Sequence, residues 1–182
     1  LKEYIESKKG HVVNDVIKDY NSLKKHLTNF ETHRKRKIVF SDINHKFYND
    51  FVYYLSYQVI KPNKEIGLRK STVGKNIKNL KAFLNFCVRN NYIQPIDLSS
   101  FKTLNNKSYN VYVSENEIEK LLELDYTNNK EYDRLRDLFI IGCETGLRYS
   151  DFSRLKKHHI YKKERVIKIT MKKTNDNVVI PI

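Results

Sequence analysis

Arg148 stands in the run Thr145-Gly146-Leu147-Arg148-Tyr149-Ser150-Asp151, after the apolar stretch Leu138-Phe139-Ile140-Ile141-Gly142-Cys143 and before Phe152-Ser153-Arg154-Leu155. The apolar stretch, counted from about Glu131, is long enough to be a helix buried on most of its surface. Gly146 suits the left-handed position that ends such a helix, and Leu147 can fold back onto it. Ser150 suits the N-cap of the next helix, with Asp151 in its positive first turn. Arg148 is then held between two helix ends by a stiff connection. Its planar fork of donors has little entropy left to lose and suits a phosphate group. The blander reading is an arginine that caps carbonyls at a helix corner.

A second set of residues suits nucleic acid. From Ser71, read as an N-cap, Val73, Ile77, Leu80, Leu84 and Cys87 recur at helical spacing and predict a buried stripe. Lys75, Lys78, Asn79 and Ala82 fall opposite, flanked by Thr72 and Asn76. Lysines neutralise phosphates and asparagines reach base edges, so this face fits a duplex; the alternative is a plain solvated face. The connection Arg34-Lys35-Arg36-Lys37 either touches phosphates or is an ordinary basic loop.

The chain has 182 residues, 40% of them hydrophobic, which excludes wholesale disorder. Five Gly and three Pro favour helices over a turn-rich β fold. The formal charge of +14 points to a polyanionic partner. It is uneven: residues 1–110 hold 21 basic and 9 acidic side chains, residues 111–182 hold 14 and 12. Cys87 and Cys143 sit in apolar helical runs and read as buried thiols without metal-ligand spacing, which fits a reducing, cytoplasmic setting. Adjacent His158 and His159 do not suit one metal. No stretch has the length of a membrane span, and no signal-peptide pattern is present.

The elements that must position these residues follow in order. A short helix over residues 1–9 precedes one capped by Asn14, and Asn44 starts a third. The helix from Ser71 runs to Asn90-Asn91. Residues 95–110 are polar with little periodicity and read as a linker. Ser114-Glu115-Asn116-Glu117 is a capping box ahead of Ile118, Leu121 and Leu122. Val166, Ile167 and Ile169 pair with Val178-Val179-Ile180-Pro181-Ile182 in a hairpin turned by Asn175-Asp176-Asn177.

Thr145, Gly146, Leu147, Arg148, Ser150 and Asp151 resemble the first catalytic box of the tyrosine recombinases, the phage-integrase family. Ser71-Thr72-Val73, followed by Leu80, Phe83, Leu84 and Phe86, is similar to the family's core-binding domain. The resemblance implies a mainly α fold. A SAM-like helical bundle at 1–94 would be the core-binding domain, 95–110 a linker along DNA, and 111–182 the first part of an α+β catalytic domain with a small β-hairpin. It implies strand cleavage and rejoining through a 3′-phosphotyrosyl intermediate, with no metal or other cofactor and no small-molecule substrate. Duplex DNA is the implied partner, gripped by Thr72, Lys75, Asn76, Lys78 and Asn79 and by Arg34, Lys35 and Arg36, with a homo-multimer on the DNA.

In that family Arg148 is catalytic, Asp151 orients it, and a hairpin lysine enters the site. Lys173, followed by Thr174, is the best match and Lys172 the rival; on a strand the two would point to opposite faces. The family's His-x-x-Arg box and nucleophilic Tyr have no counterpart here, so the chain reads as a piece of a longer integrase that binds duplex DNA without cutting it. The readings from other classes are a non-catalytic helical DNA-binding regulator and an RNA-binding scaffold.

Overall fold

The computed structural model describes residues 1–105 and 110–182. The chain divides into two compact units, Leu1–Ser108 and Tyr109–Ile182. It is mostly helical, with one small three-stranded antiparallel sheet at the C-terminal end. Among the described residues, no helix is long and apolar enough to cross a membrane.

The first unit is a helical bundle: α1 (Lys2–Lys8), α2 (Asn14–His33), α3 (His45–Tyr57) and α4 (Lys70–Arg89), with a 3-10 turn at Phe40–Asp42. Asn44 caps α3 by accepting the Phe47 N–H at 3.0 Å. Ser71 does not cap α4; the helix begins one residue earlier, after Arg69 in extended backbone, and no side chain caps it. The predicted stripe of α4 is buried, with Val73, Ile77, Leu80, Leu84 and Cys87 packed inward. Leu23 and Phe30 of α2 and Phe47, Phe51, Tyr54 and Leu55 of α3 close the main core around it. The Phe30 ring lies 5.2 Å from that of Phe51 and 5.1 Å from that of Tyr54, in tilted contacts typical of packed aromatics. A smaller cluster of Tyr4, Ile5 and Tyr20 fastens α1 to α2 and α4.

Residues 95–105 are not a free linker. Phe101 is fully buried in the main core, and Ile96, Leu98 and Leu104 pack against it. The Tyr48 hydroxyl donates to the Lys102 carbonyl at 3.0 Å, and Lys81 Nζ donates to the Phe101 carbonyl. Polarity hid this: three aliphatics and one Phe spaced through a polar run make no periodic pattern, yet each finds a place on the bundle. Of the rest of the predicted linker, residues 106–109 lie outside the described residues. The backbone comes close enough to α4 that a Cβ on Gly74 would run into the Leu104 carbonyl.

The second unit holds α5 (Glu115–Glu123), α6 (Lys130–Thr145), α7 (Tyr149–Phe152) and strands β1 (Ile160–Tyr161), β2 (Val166–Thr170) and β3 (Asn177–Pro181) in the order β1-β2-β3. The capping box of α5 forms as predicted: the Ser114 N–H donates to Glu117 Oε2 at 2.8 Å. In β2 and β3, Ile167 pairs with Ile180 and Thr170 with Asn177, so Asn177 opens the strand and the loop is residues 171–176. β1 was not predicted; two residues carry no readable period. Two expectations fail on α6. It has no buried residue, and Leu135, Phe139 and Ile141 are exposed, as is Cys143. An apolar period says which side of a helix avoids water, not that another element of the unit covers it.

Leu80→Ala should cost the bundle roughly 2–5 kcal/mol through lost transfer energy and a cavity. Gly74→Ala should cost about 1–3 kcal/mol by overpacking, and should also free residues 96–104 to a protease. Urea unfolding and limited proteolysis check both. Equal proteolysis of wild type and Gly74→Ala would mean that the close approach does not hold the segment.

Candidate active-site corner and nucleic-acid face

The Arg148 corner is built by two helix ends. Asn129 starts α6 by accepting the Tyr132 N–H, and Gly146 ends it in left-handed backbone, φ 63°, with its N–H donating to the Gly142 carbonyl at 3.0 Å. The Thr145 hydroxyl donates to the Ile141 carbonyl at 2.6 Å and accepts the Leu147 N–H at 3.4 Å, which brings Leu147 inward to a buried position. Arg148, not Ser150, takes the N-cap place of α7: its carbonyl accepts from the Asp151 N–H at 2.7 Å and the Phe152 N–H at 3.0 Å. Ser150 is one residue inside the helix. The Arg148 cap is made by backbone alone, which leaves its exposed guanidinium uncommitted to capping.

Asp151 is fully buried. Its Oδ1 accepts the Lys172 N–H at 2.8 Å and Arg154 Nη2 at 3.1 Å; its Oδ2 has no partner among the described residues. The same Arg154 nitrogen donates to the Thr170 carbonyl, the last of β2. The expected Asp151–Arg148 hydrogen bond is not formed. The carboxylate is turned toward the β2–β3 loop because a backbone amide and a guanidinium meet it there. The Lys172 amide holds the carboxyl below its usual range; burial pushes the other way, and Arg154 and then Arg148 add to the lowering through hydrogen bonding and their positive fields. Arg148 Nη1 meets the Met171 sulfur at 3.8 Å, so the guanidinium lies beside the first residue of that loop. Sequence reasoning passed over Arg154 and Met171; the available signal was the Asp151–Arg154 spacing of three residues on a helical turn.

Lys172 and Lys173 are both exposed and both lie in the loop. β2 ends at Thr170, so strand alternation does not separate them. The loop is closed by the Met171 N–H donating to the Asp176 carbonyl and the Asn175 N–H donating to the Met171 carbonyl. Asn175 takes positive φ, 61°, as asparagine tolerates. His159 Nδ1 accepts the Lys156 N–H at 3.0 Å and is occupied as a turn cap. Among the described residues, no group of three or more His, Cys, Asp or Glu stands together as a metal site.

On α4, Thr72, Lys75 and Lys78 are exposed and Asn79 is half-buried. Lys75 Nζ pairs with Asp19 at 2.7 Å. Asn76 departs from expectation: it is 4% exposed and its amide donates to the Thr72 carbonyl at 2.9 Å, one turn back along its own helix. Adjacent to Ile77 on the buried arc, it belongs to the inner side. Arg34, Lys35 and Arg36 form a folded turn rather than an open basic loop. Asp42 takes Arg36 at 2.8 Å and Arg34 at 3.5 Å, and Glu31 accepts the Ile38 N–H at 2.9 Å. Lys35, at φ 51°, is exposed.

Two family models match the chain: the phage integrase SAM-like domain over residues 1–103, and the phage integrase family over residues 112–182. No curated protein matches it.

Asp151→Asn should loosen the corner. Because the carboxyl is held below its unfolded value, its contribution is present above the ordinary carboxylate range and lost as pH falls through the lowered value. The variant should therefore melt lower than wild type at neutral pH, with the gap closing in acid, and its Lys172 amide should exchange faster. Thermal unfolding across that range and amide exchange read this; equal midpoints at neutral pH would contradict it.

Proposed function

The chain belongs to the phage integrase family, and from that premise we propose that its residues grip duplex DNA and supply the opening part of a tyrosine-recombinase active site. The family's domains serve site-specific recombination and DNA binding. The observation that carries the finer reading is the exposed Arg148, on a corner of fixed backbone, beside the loop that bears Lys172 and Lys173.

In this reading a tyrosine hydroxyl attacks the phosphorus of a DNA strand. A Tyr O–P bond forms, the P–O5′ bond breaks, and the strand is left on a 3′-phosphotyrosyl link with a free 5′-hydroxyl. Arg148 stabilises the charge that gathers on the non-bridging oxygens. A loop lysine protonates the departing 5′ oxygen; Lys173 is preferred by its resemblance to the family pattern and Lys172 remains its rival. Asp151 acts through the loop, by holding the Lys172 backbone, rather than through Arg148. No nucleophile is assigned among these 182 residues, since none of their tyrosines matches the family's place.

Binding falls to the first unit, with the domain reading of 1–94 extended by the packed stretch to Leu104. Thr72, Lys75, Lys78, Asn79 and Lys35 remain the DNA-facing set. Asn76 is withdrawn from it, and Lys75, Arg34 and Arg36 contribute only by exchanging Asp19 or Asp42 for phosphate. A homo-multimer assembled on the DNA belongs to the same proposal. The family match over residues 112–182 weighs against a purely regulatory DNA-binding protein.

The test is a suicide duplex nicked near a cleavage site, incubated with the chain and run on a denaturing gel beside a gel shift. The expected result is salt-sensitive binding, since released counterions drive it, without a covalent adduct. An adduct abolished by replacing one of the chain's own tyrosines would overturn the assignment of the nucleophile elsewhere, and salt-insensitive binding would overturn the electrostatic grip. In the parent protein, Lys173→Ala should slow cleavage far more than Lys172→Ala, and a 5′-thio leaving group should restore the rate if the lysine is the acid.

A further inference from the structure

The loop between α3 and α4 is a small rigid ribbon with an apolar face in water. Ile60 and Ile66 form an antiparallel bridge, so their side chains stand together on one face; they are 73% and 70% exposed. The ribbon is tied to the bundle at its base. Val59 is buried in the main core, the Gly67 N–H donates to the Val59 carbonyl at 2.7 Å, and the Leu68 N–H donates to the Leu55 carbonyl at 2.8 Å. Its tip is closed by the Lys61 N–H donating to the Glu65 carbonyl and the Lys64 N–H donating to the Lys61 carbonyl, with Lys64 at φ 65°. Pro62 and Asn63 occupy that tip. Two large β-branched side chains kept in water on a braced ribbon do nothing for the fold, and among the described residues of the unit none covers them.

The charge around the pair selects an occupant. Lys64, Arg69 and Lys70 are exposed on the ribbon and on the chain entering α4. Glu65 is the lone acid of the segment and is neutralised by Lys61 at 2.8 Å. A second copy of this chain would bring the same positive cluster against itself. A polyanion turns that cluster into attraction, and α4, with Lys75 and Lys78, begins directly after it. Exposed branched aliphatics held rigidly beside lysines are suited to pressing against, or between, base steps where a groove is opened.

We propose that the Ile60–Ile66 ribbon is an apolar wedge that enters a groove of duplex DNA and unstacks a base step beside the α4 contact. This rests on the duplex-binding reading above. The wedge makes no phosphate contact of its own, so it adds affinity without adding salt dependence. It favours sites with a flexible pyrimidine–purine step, where unstacking is least costly.

The experiment uses the 182-residue chain and a short mixed-sequence duplex carrying one 2-aminopurine at successive positions, with affinity measured over a salt series. Ile60→Thr/Ile66→Thr keeps the β-branched shape that suits the ribbon; Ile60→Leu/Ile66→Leu keeps the apolar surface. Wild type should raise 2-aminopurine fluorescence at one step. The Thr pair should lose that rise and bind about tenfold more weakly, with an unchanged salt slope and melting temperature, and the Leu pair should retain both binding and rise. Wild-type affinity and fluorescence in the Thr pair would overturn the wedge while leaving the duplex-binding reading intact. So would a DNA-free wild-type dimer, seen by sedimentation and dissolved by the Thr pair, which would make the face a protein interface. Failure of wild type to bind any duplex would sink both readings together. If the Thr pair melts lower, the single variants Ile60→Thr and Ile66→Thr decide by the same fluorescence.

Discussion

A carboxylate taken wholly out of water is unstable unless donors replace its hydration. Asp151 meets that requirement with one guanidinium from its own helical turn and one backbone amide from a distant part of the C-terminal unit. The amide belongs to the β2–β3 loop, and Arg154 reaches on to the final carbonyl of β2. The helix corner and the sheet are joined here by the Asp151 carboxylate and the Arg154 guanidinium together. Arg148 needs no contact with Asp151 to profit: its own position is set by the Gly146 turn and the α7 backbone, and Asp151 brings the loop to it. The unpartnered Oδ2 leaves the carboxylate with unused acceptor capacity in a strongly positive neighbourhood.

The N-terminal unit solves a different problem. It must carry most of the chain's surplus positive charge and still fold. Its core is aromatic and continuous from α2 through α3 to α4, with Phe101 entering from a segment that has no secondary structure. Burying that segment sets the reach of the unit: what looked like slack chain is committed to the bundle up to Leu104. The charge is kept at the surface, partly in ion pairs.

What could be read from the sequence depended on whether the signal was local. Gly146, Asn44 and the Ser114–Glu117 box are local devices, each fixed by its own backbone within a few residues, and each forms as expected. The buried stripe of α4 was legible because a full helix repeats its period several times. Ser71 and Ser150 misled because a helix can also begin from extended backbone with no side-chain cap, at Arg69 and Arg148. Asn76 was drawn one position too far outward, since an asparagine can close its hydrogen bonds on its own helix and go inside. Cys143 and its neighbours on α6 failed for a tertiary reason: their exposure depends on what else is near, which periodicity does not encode. Half of the Arg154 bridge was legible in its three-residue spacing from Asp151; the other half was not, because its partner is a carbonyl sixteen residues on. For the candidate site, the corner was legible in type and spacing, whereas the direction in which Asp151 points was not.

The clasp of Asp42 on Arg34 and Arg36 has a consequence for how the bundle handles any polyanion. With Asp19 on Lys75 and Glu31 on Lys37, it means that part of the positive surface already has resident counterions, built into the chain. For those side chains, contact with a phosphate is an exchange of one anion for another rather than a capture from solvent. The carboxylate left behind must rehydrate, and it then repels the same phosphate backbone. On such a surface an unpaired lysine would meet a polyanion without displacing an anion, while a paired arginine would move only for a phosphate that competes with Asp42. The nominal charge of the unit thus overstates its indiscriminate stickiness and understates its capacity to distinguish a well-fitted backbone from a merely nearby one.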